Sequence, residues 1–181
     1  MNGIKRFMYI AAVASLALMF AFFFLMVNTG KGVFATLGIT AMTICYHFTI
    51  RLVIGNITGS MKLSQFDPNA RRYRECKFER KLYRKLRVKK WKKFVPSFDE
   101  RQFSVKDHSF NELAQTACRA ETTHWLCAAA SLVTICFAVW FGSLVVFLIT
   151  GILGALVDLT LVIIQRYNRP RLLRLAERKT E

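Results

Sequence analysis

Apolar residues come in long blocks along this chain, and charges lie between the blocks. Residues 7–27 contain no Lys, Arg, Asp or Glu. A block of that length reaches across a bilayer core, which takes about 20 helical residues. A second apolar block occupies 33–54. The stretch 125–164 holds two more spans, 125–141 and 143–164, with a tight turn at Trp140-Phe141-Gly142-Ser143. Lys5 and Arg6 would also suit a signal peptide, but its apolar region runs only about 7–15 residues and ends at a small-residue cleavage site. The first block therefore reads as an anchor. The pattern predicts an all-α integral membrane protein, one membrane domain over 1–181, with about four transmembrane helices and a partly helical loop over 55–124.

Within that loop, residues 70–94 contain neither Gly nor Pro, which predicts a helix. Phe78, Leu82 and Leu86 recur every four residues and would line one face. A basic helix with apolar and aromatic residues fits a position in the lipid headgroup layer. From Pro96 to about Ser109 the chain reads as irregular, and 110–124 as a helix leading into the third span.

Charge then sets an orientation. The chain is 54% hydrophobic yet carries a net charge of +16. The 55–124 loop holds 17 Lys/Arg against eight Asp/Glu, and the tail from Arg166 holds six against two. Across the membrane there is essentially Lys31 alone. The positive-inside rule places the loop, the 165–181 tail and both termini in the cytoplasm of a multi-pass cell-membrane protein. Such a basic run also suits nucleic acid, but a segment tethered between spans does not, so no nucleic acid is expected. Membrane lipids are the expected partners, at about 1 kcal/mol per Lys or Arg near an anionic surface. Cys45, Cys127 and Cys136 fall in spans, and Cys76 and Cys118 on the reducing side, so no disulfide is expected. His47, His108 and His124 share no ligand spacing, and no metal site is expected.

Ionisable residues inside spans are candidates for function. His47 and Arg51 are four apart on one helix face. Glu121 and His124 are three apart where span three begins. Asp158 and Gln165 are two turns apart in span four, and Arg169 continues their face. Plainer roles compete: Arg51 snorkels, His47 packs between helices, Trp125 and Tyr167 join an aromatic belt, and Arg171 and Arg174 anchor the helix end.

Three motifs carry a resemblance over roughly residues 66–175. They are Arg119-Ala120-Glu121-x-x-His124-Trp125, Gln165-Arg166-Tyr167-Asn168-Arg169-Pro170-Arg171-Leu172 and, more weakly, Val88-Lys89-Lys90-Trp91-Lys92. Together they resemble the glycosyl-4,4'-diaponeurosporenoate acyltransferase family. The resemblance implies a membrane O-acyltransferase that moves a fatty acyl group to a sugar hydroxyl on a carotenoid glycoside, the last step of staphyloxanthin synthesis. It implies no bound cofactor. The co-substrate would be acyl-coenzyme A or an acidic acyl carrier protein, and the acceptor a lipid-linked one.

Acyl transfer to an alcohol needs a base, oxyanion donors and two held substrates. His124 is the expected base and Glu121 its orienting carboxylate, as in a triad. Asn168 is the candidate oxyanion donor. Arg166 and Arg169 would hold donor phosphates, with Gln165, Arg119, Arg51, His47 and Asp158 as further substrate-binding candidates. Pro170 should break the last helix. The chain departs from the family pattern at Asp158 and Thr160, where Asn and Pro are expected, which opens the acceptor to another glycolipid or lipid alcohol. The competing class is a non-enzymatic membrane scaffold or lipid-binding subunit with a basic loop.

Overall fold

Surrounded by lipid, a backbone must satisfy its N–H and C=O groups within its own segment, and a helix does so without partners. The computed structural model describes residues 3–95 and 103–180, and among them it contains helices and no strand. The elements are α1 (Gly3–Thr29), α2 (Gly32–Ser60), α3 (Lys77–Lys85), α4 (Val88–Trp91), α5 (Phe110–Val133), α6 (Ala138–Phe141) and α7 (Leu144–Thr180). A 3₁₀ turn, Thr134–Phe137, joins α5 to α6 in one continuous rod. Among the described residues four stretches are long and apolar enough to cross a membrane: Gly3–Thr29, Gly32–Ser60, Phe110–Phe141 and Leu144–Lys179. Their apolar side chains are largely outward, Val27 being 77% and Val139 83% exposed. Such a surface suits hydrocarbon rather than water. The chain is a membrane protein on this ground.

The turn at Gly142 lies where the sequence placed it, and a second tight turn at Gly30 joins α1 to α2. Gly30 has φ 65°, and Gly142 and Ser143 have φ 65° and 53°. A glycine takes this left-handed backbone without a Cβ penalty.

The chain divides into two compact units. The first comprises Met1–Asn56 and Leu126–Asp158, the second Ile57–Trp125 and Leu159–Glu181. In the first unit small residues allow close approach between helices, as is common in membranes. A Cβ at Gly38 would lie 2.9 Å from the Phe23 ring. One at Gly151 would lie 2.9 Å from the Ser131 carbonyl oxygen. Phe7 and Phe48 meet edge to face at 5.8 Å.

In the second unit Phe66, Tyr73 and Cys118 form a small buried cluster. A capping box opens α5: Ser109 Oγ accepts the Glu112 N–H at 3.2 Å, and Glu112 Oε2 accepts the Ser109 N–H at 2.8 Å.

Two expectations are corrected here. Residues 70–94 are not one helix. They form a 3₁₀ turn at Arg71–Tyr73, then α3, then α4 and a second 3₁₀ turn at Lys92–Phe94, with Arg87 at φ 51° between α3 and α4. The face of α3 turned inward carries Glu79 and Tyr83, while Phe78, Leu82 and Leu86 are exposed. The reason is charge: the partner buried against α3 is an arginine, described below. The second correction is Pro170, which lies inside α7 without ending it. A helix-interior proline costs about 3 kcal/mol. The turn before it is held from the side by the ion pairs of Arg166 and Arg169. Of the irregular 96–109 stretch, residues 96–102 lie outside the described residues.

Gly151→Ala should therefore lower stability by about 1–3 kcal/mol, because the Ser131 carbonyl is backbone and cannot move aside. Gly59→Ala, whose Cβ would meet nothing, should be neutral or slightly stabilising. Thermal unfolding of the purified protein in detergent checks both.

Candidate active site

Two arginines one turn apart on α7 organise the second unit. Arg166 donates from Nε and Nη2 to Glu79 Oε1 at 3.0 and 2.6 Å. Its Nη1 donates to Glu121 Oε1 at 2.6 Å and to the Arg72 carbonyl at 3.3 Å, and Nη2 also reaches the Arg74 carbonyl at 3.1 Å. A guanidinium has five N–H donors, and these five contacts engage them all. Arg169 is 1% exposed. It donates from Nη1 to Glu121 Oε2 and from Nη2 to the Tyr73 carbonyl, with its guanidinium 5.2 Å from the centre of the Tyr73 ring.

Glu79 and Glu121 are buried as deeply as the arginines require. Two carboxylates thus balance two guanidiniums, the condition under which buried charge is tolerated. Tyr83 donates its hydroxyl to Glu79 Oε2 at 3.0 Å. Burial, and then the Glu79 carboxylate, push the Tyr83 hydroxyl well above the ordinary phenol range. The Tyr83 ring meets Tyr167 edge to face at 5.7 Å.

Tyr167 also lies under two cations. Arg171 stands 4.0 Å and Lys92 Nζ 4.9 Å from its ring centre. Lys92 donates to Asn168 Oδ1. Burial, and then the nearby Arg171 charge, hold the Lys92 ammonium below its usual range.

The sequence paired Glu121 with His124 and left Arg166 and Arg169 for phosphates. The structure gives both Glu121 oxygens to arginines, and commits every Arg166 donor inside the protein. His124, Arg119 and Gln165 are half-buried on α5 and α7.

The first unit has its own charged cluster. Arg51 Nη2 and Asp158 Oδ2 are 2.6 Å apart, with Asp158 1% exposed. Arg51 also donates to the His47 carbonyl at 2.8 Å, the Gly154 carbonyl at 3.0 Å and Ser131 Oγ at 3.2 Å. Ser131 Oγ is 3.4 Å from His47 Nδ1. So His47 and Arg51 on α2 and Asp158 on α7, predicted on two separate spans, do come together.

Sequence reasoning missed Glu79, Tyr73 and Ser131. Glu79 had a signal: it is the one acid among ten basic residues between Lys77 and Lys93. Tyr73 contributes its carbonyl, which no side-chain pattern reveals. A lone serine in an apolar helix gives no warning.

The profile of the glycosyl-4,4'-diaponeurosporenoate acyltransferase family matches residues 69–178. The chain belongs to this family. Membership makes it a membrane enzyme that transfers acyl groups in carotenoid biosynthesis. No curated protein and no solved structure matches the chain. The matched region contains Glu79, Glu121, Arg166 and Arg169, so the buried ion-pair network lies wholly within the family's span.

Glu121→Ala should cost about 3–5 kcal/mol, since it leaves charge buried without its counter-ion. Replacing Glu121 and Arg169 together by Met should recover part of that loss. Thermal melts of the single and double variants measure the difference.

Proposed function

We propose that this acyltransferase moves a fatty acyl group from a thioester donor to a hydroxyl of a glycosylated isoprenoid, a carotenoid or a related lipid. The observation that carries the reading is the family match over the region that contains the Arg166–Arg169 network. In the reaction the acceptor oxygen bonds to the acyl carbon, the carbon–sulfur bond breaks, and the acceptor's proton leaves with the thiol. His124 serves as the base that takes this proton. Its half-buried place on α5 within the family's matched region supports that role.

Glu121 takes a different part from the orienting carboxylate of a triad. It holds Arg166 and Arg169 in place, and through them the turn that carries Asn168. Lys92 on its Oδ1 leaves the Asn168 amide N–H₂ to donate, which supports Asn168 as the oxyanion donor. Donor phosphates then fall to exposed cations rather than to Arg166 or Arg169. Lys77, Lys81, Arg84 and Lys85 on α3 are exposed and suit coenzyme A or an acidic carrier protein. The exposed Phe78, Leu82 and Leu86 beside them suit the membrane surface. Arg119 and Gln165 are the remaining substrate contacts of this unit.

The positive-inside bias supports a cytoplasmic placement of the 55–124 loop and both termini. Cys76 is exposed within that loop. A membrane-impermeant maleimide should label Cys76 only after the cells are permeabilised; labelling of Cys76 in intact cells would reverse the orientation.

Purified protein in nanodiscs, given labelled fatty acyl-coenzyme A or acyl carrier protein and a glycosylated isoprenoid, should form an acyl ester. His124→Ala should abolish product with no loss of protein or melting temperature. Turnover at the wild-type rate by that variant removes His124 as the base. No ester from any donor and acceptor pair removes the substrate reading.

A further inference from the structure

Arg166 and Arg169 have their carboxylates, but two cations near them do not. Among the described residues neither Lys92 nor Arg171 makes an ion pair. Lys92 is half-buried, and Asn168 Oδ1 accepts from its Nζ. An ammonium has three N–H donors, so that contact leaves others open. Arg171 is exposed, and its guanidinium rests on the Tyr167 ring rather than on a protein oxygen among the described residues.

Both cations meet the same ring. Lys92 Nζ is 4.9 Å and Arg171 Cζ 4.0 Å from the centre of Tyr167. Tyr167 is itself fixed, because its ring meets Tyr83 edge to face at 5.7 Å and the Tyr83 hydroxyl is tied to Glu79. The two charges are therefore held near each other, no farther apart than those two distances laid end to end. The aromatic ring offsets part of the repulsion, yet like charges in a partly dry place remain costly. The repulsion shows at Lys92, where the Arg171 charge adds to burial in holding the ammonium below its usual range. No neighbouring acid in the chain relieves it. From Lys77 to Lys93 the sole acid is Glu79, and Arg166 takes it.

An anion would relieve both cations at once. A phosphate suits the pair, since it offers several strong acceptor oxygens and so can meet an ammonium and a guanidinium together. The position along α7 agrees. Its apolar run ends at Ile164, so Tyr167 and Arg171 fall where lipid headgroups begin.

We infer that Lys92 and Arg171, set around Tyr167, form a binding site for a phosphate group. Two sources can bring one to this level, the headgroup of an anionic membrane lipid and the coenzyme A of an acyl donor. Naming the second rests on the acyl-transfer reading; the site itself does not.

The test is ligand binding to the whole protein in a neutral detergent, read by native mass spectrometry. Four probes are compared: phosphatidic acid, diacylglycerol with the same chains, coenzyme A and pantetheine. The second and fourth lack phosphate. A phosphate-bearing probe should bind several-fold more tightly than its phosphate-free counterpart. Arg171→Gln and Lys92→Gln should each remove most of that difference. Lys89→Gln, which deletes an equal, exposed charge one turn from Lys92, should leave it. Preference for phosphatidic acid alone assigns the site to a lipid headgroup, and preference for coenzyme A alone assigns it to the donor. Preference for both makes it a site for either phosphate. The proposal is overturned if neither phosphate probe is preferred, or if Arg171→Gln weakens binding no more than Lys89→Gln does. Arg171 is exposed, so its variant decides the matter even if Lys92→Gln fails to fold. Binding needs no turnover, so a protein that binds as expected but forms no ester keeps the phosphate site and loses the acyl-transfer reading.

Discussion

The second unit depends on a neutral set of four charges, of which Glu79, Glu121 and Arg169 are buried and Arg166 is largely enclosed. Arg166 and Arg169 on α7 face Glu79 on α3 and Glu121 on α5, with the backbone carbonyls of Arg72, Tyr73 and Arg74 taking further N–H donors. A buried guanidinium is tolerable only with its charge matched and its hydrogen bonds filled. Both conditions are met at Arg166, whose five donors have five partners. The consequence is specificity: a basic segment with little apolar content is tied to two helices by directional contacts. That explains why α3 turns Glu79 and Tyr83 inward and leaves Phe78, Leu82 and Leu86 outside.

The same network accounts for the behaviour of α7. A proline one turn after Arg166 removes a helical hydrogen bond, and the helix nevertheless continues to Thr180. Arg169, immediately before Pro170, is clamped between Glu121 and the Tyr73 carbonyl. The turn is thus fixed from the side when it loses support along its axis. Asn168 and Tyr167 share that turn, so their positions against Lys92 and Tyr83 follow from it.

The first unit handles charge differently. Its spans are apolar and outward-facing, and its charged pair, Arg51 and Asp158, is held where glycines let the backbones approach. Gly154 contributes twice, through its carbonyl to Arg51 and through the missing Cβ that makes room for His47 and Ser131. The small residue is what allows a polar cluster within helices whose outer faces are hydrocarbon. One atom of that cluster, His47 Nε2, stays without a partner.

Much of this protein was legible in its sequence because the bilayer is a demanding solvent. Runs of about 20 apolar residues have one low-energy form there, and Gly30 and Gly142 mark their turns. The motifs around Glu121 and 165–172 marked the family. What those residues do was set by tertiary contact. Glu121 was paired with His124 because helical spacing sees only neighbours three or four residues away. Its partners, Arg166 and Arg169, lie 45 and 48 residues further on. The spacing of Phe78, Leu82 and Leu86 marked one face of this segment, and that face is exposed, but it gave no sign that another face carries Glu79 inward. The counter-charge that draws Glu79 inward, Arg166, is on another helix. Periodicity and composition determine which segments are helices and which meet lipid; which charges neutralise one another, and so which faces turn inward, is a property of the assembled fold.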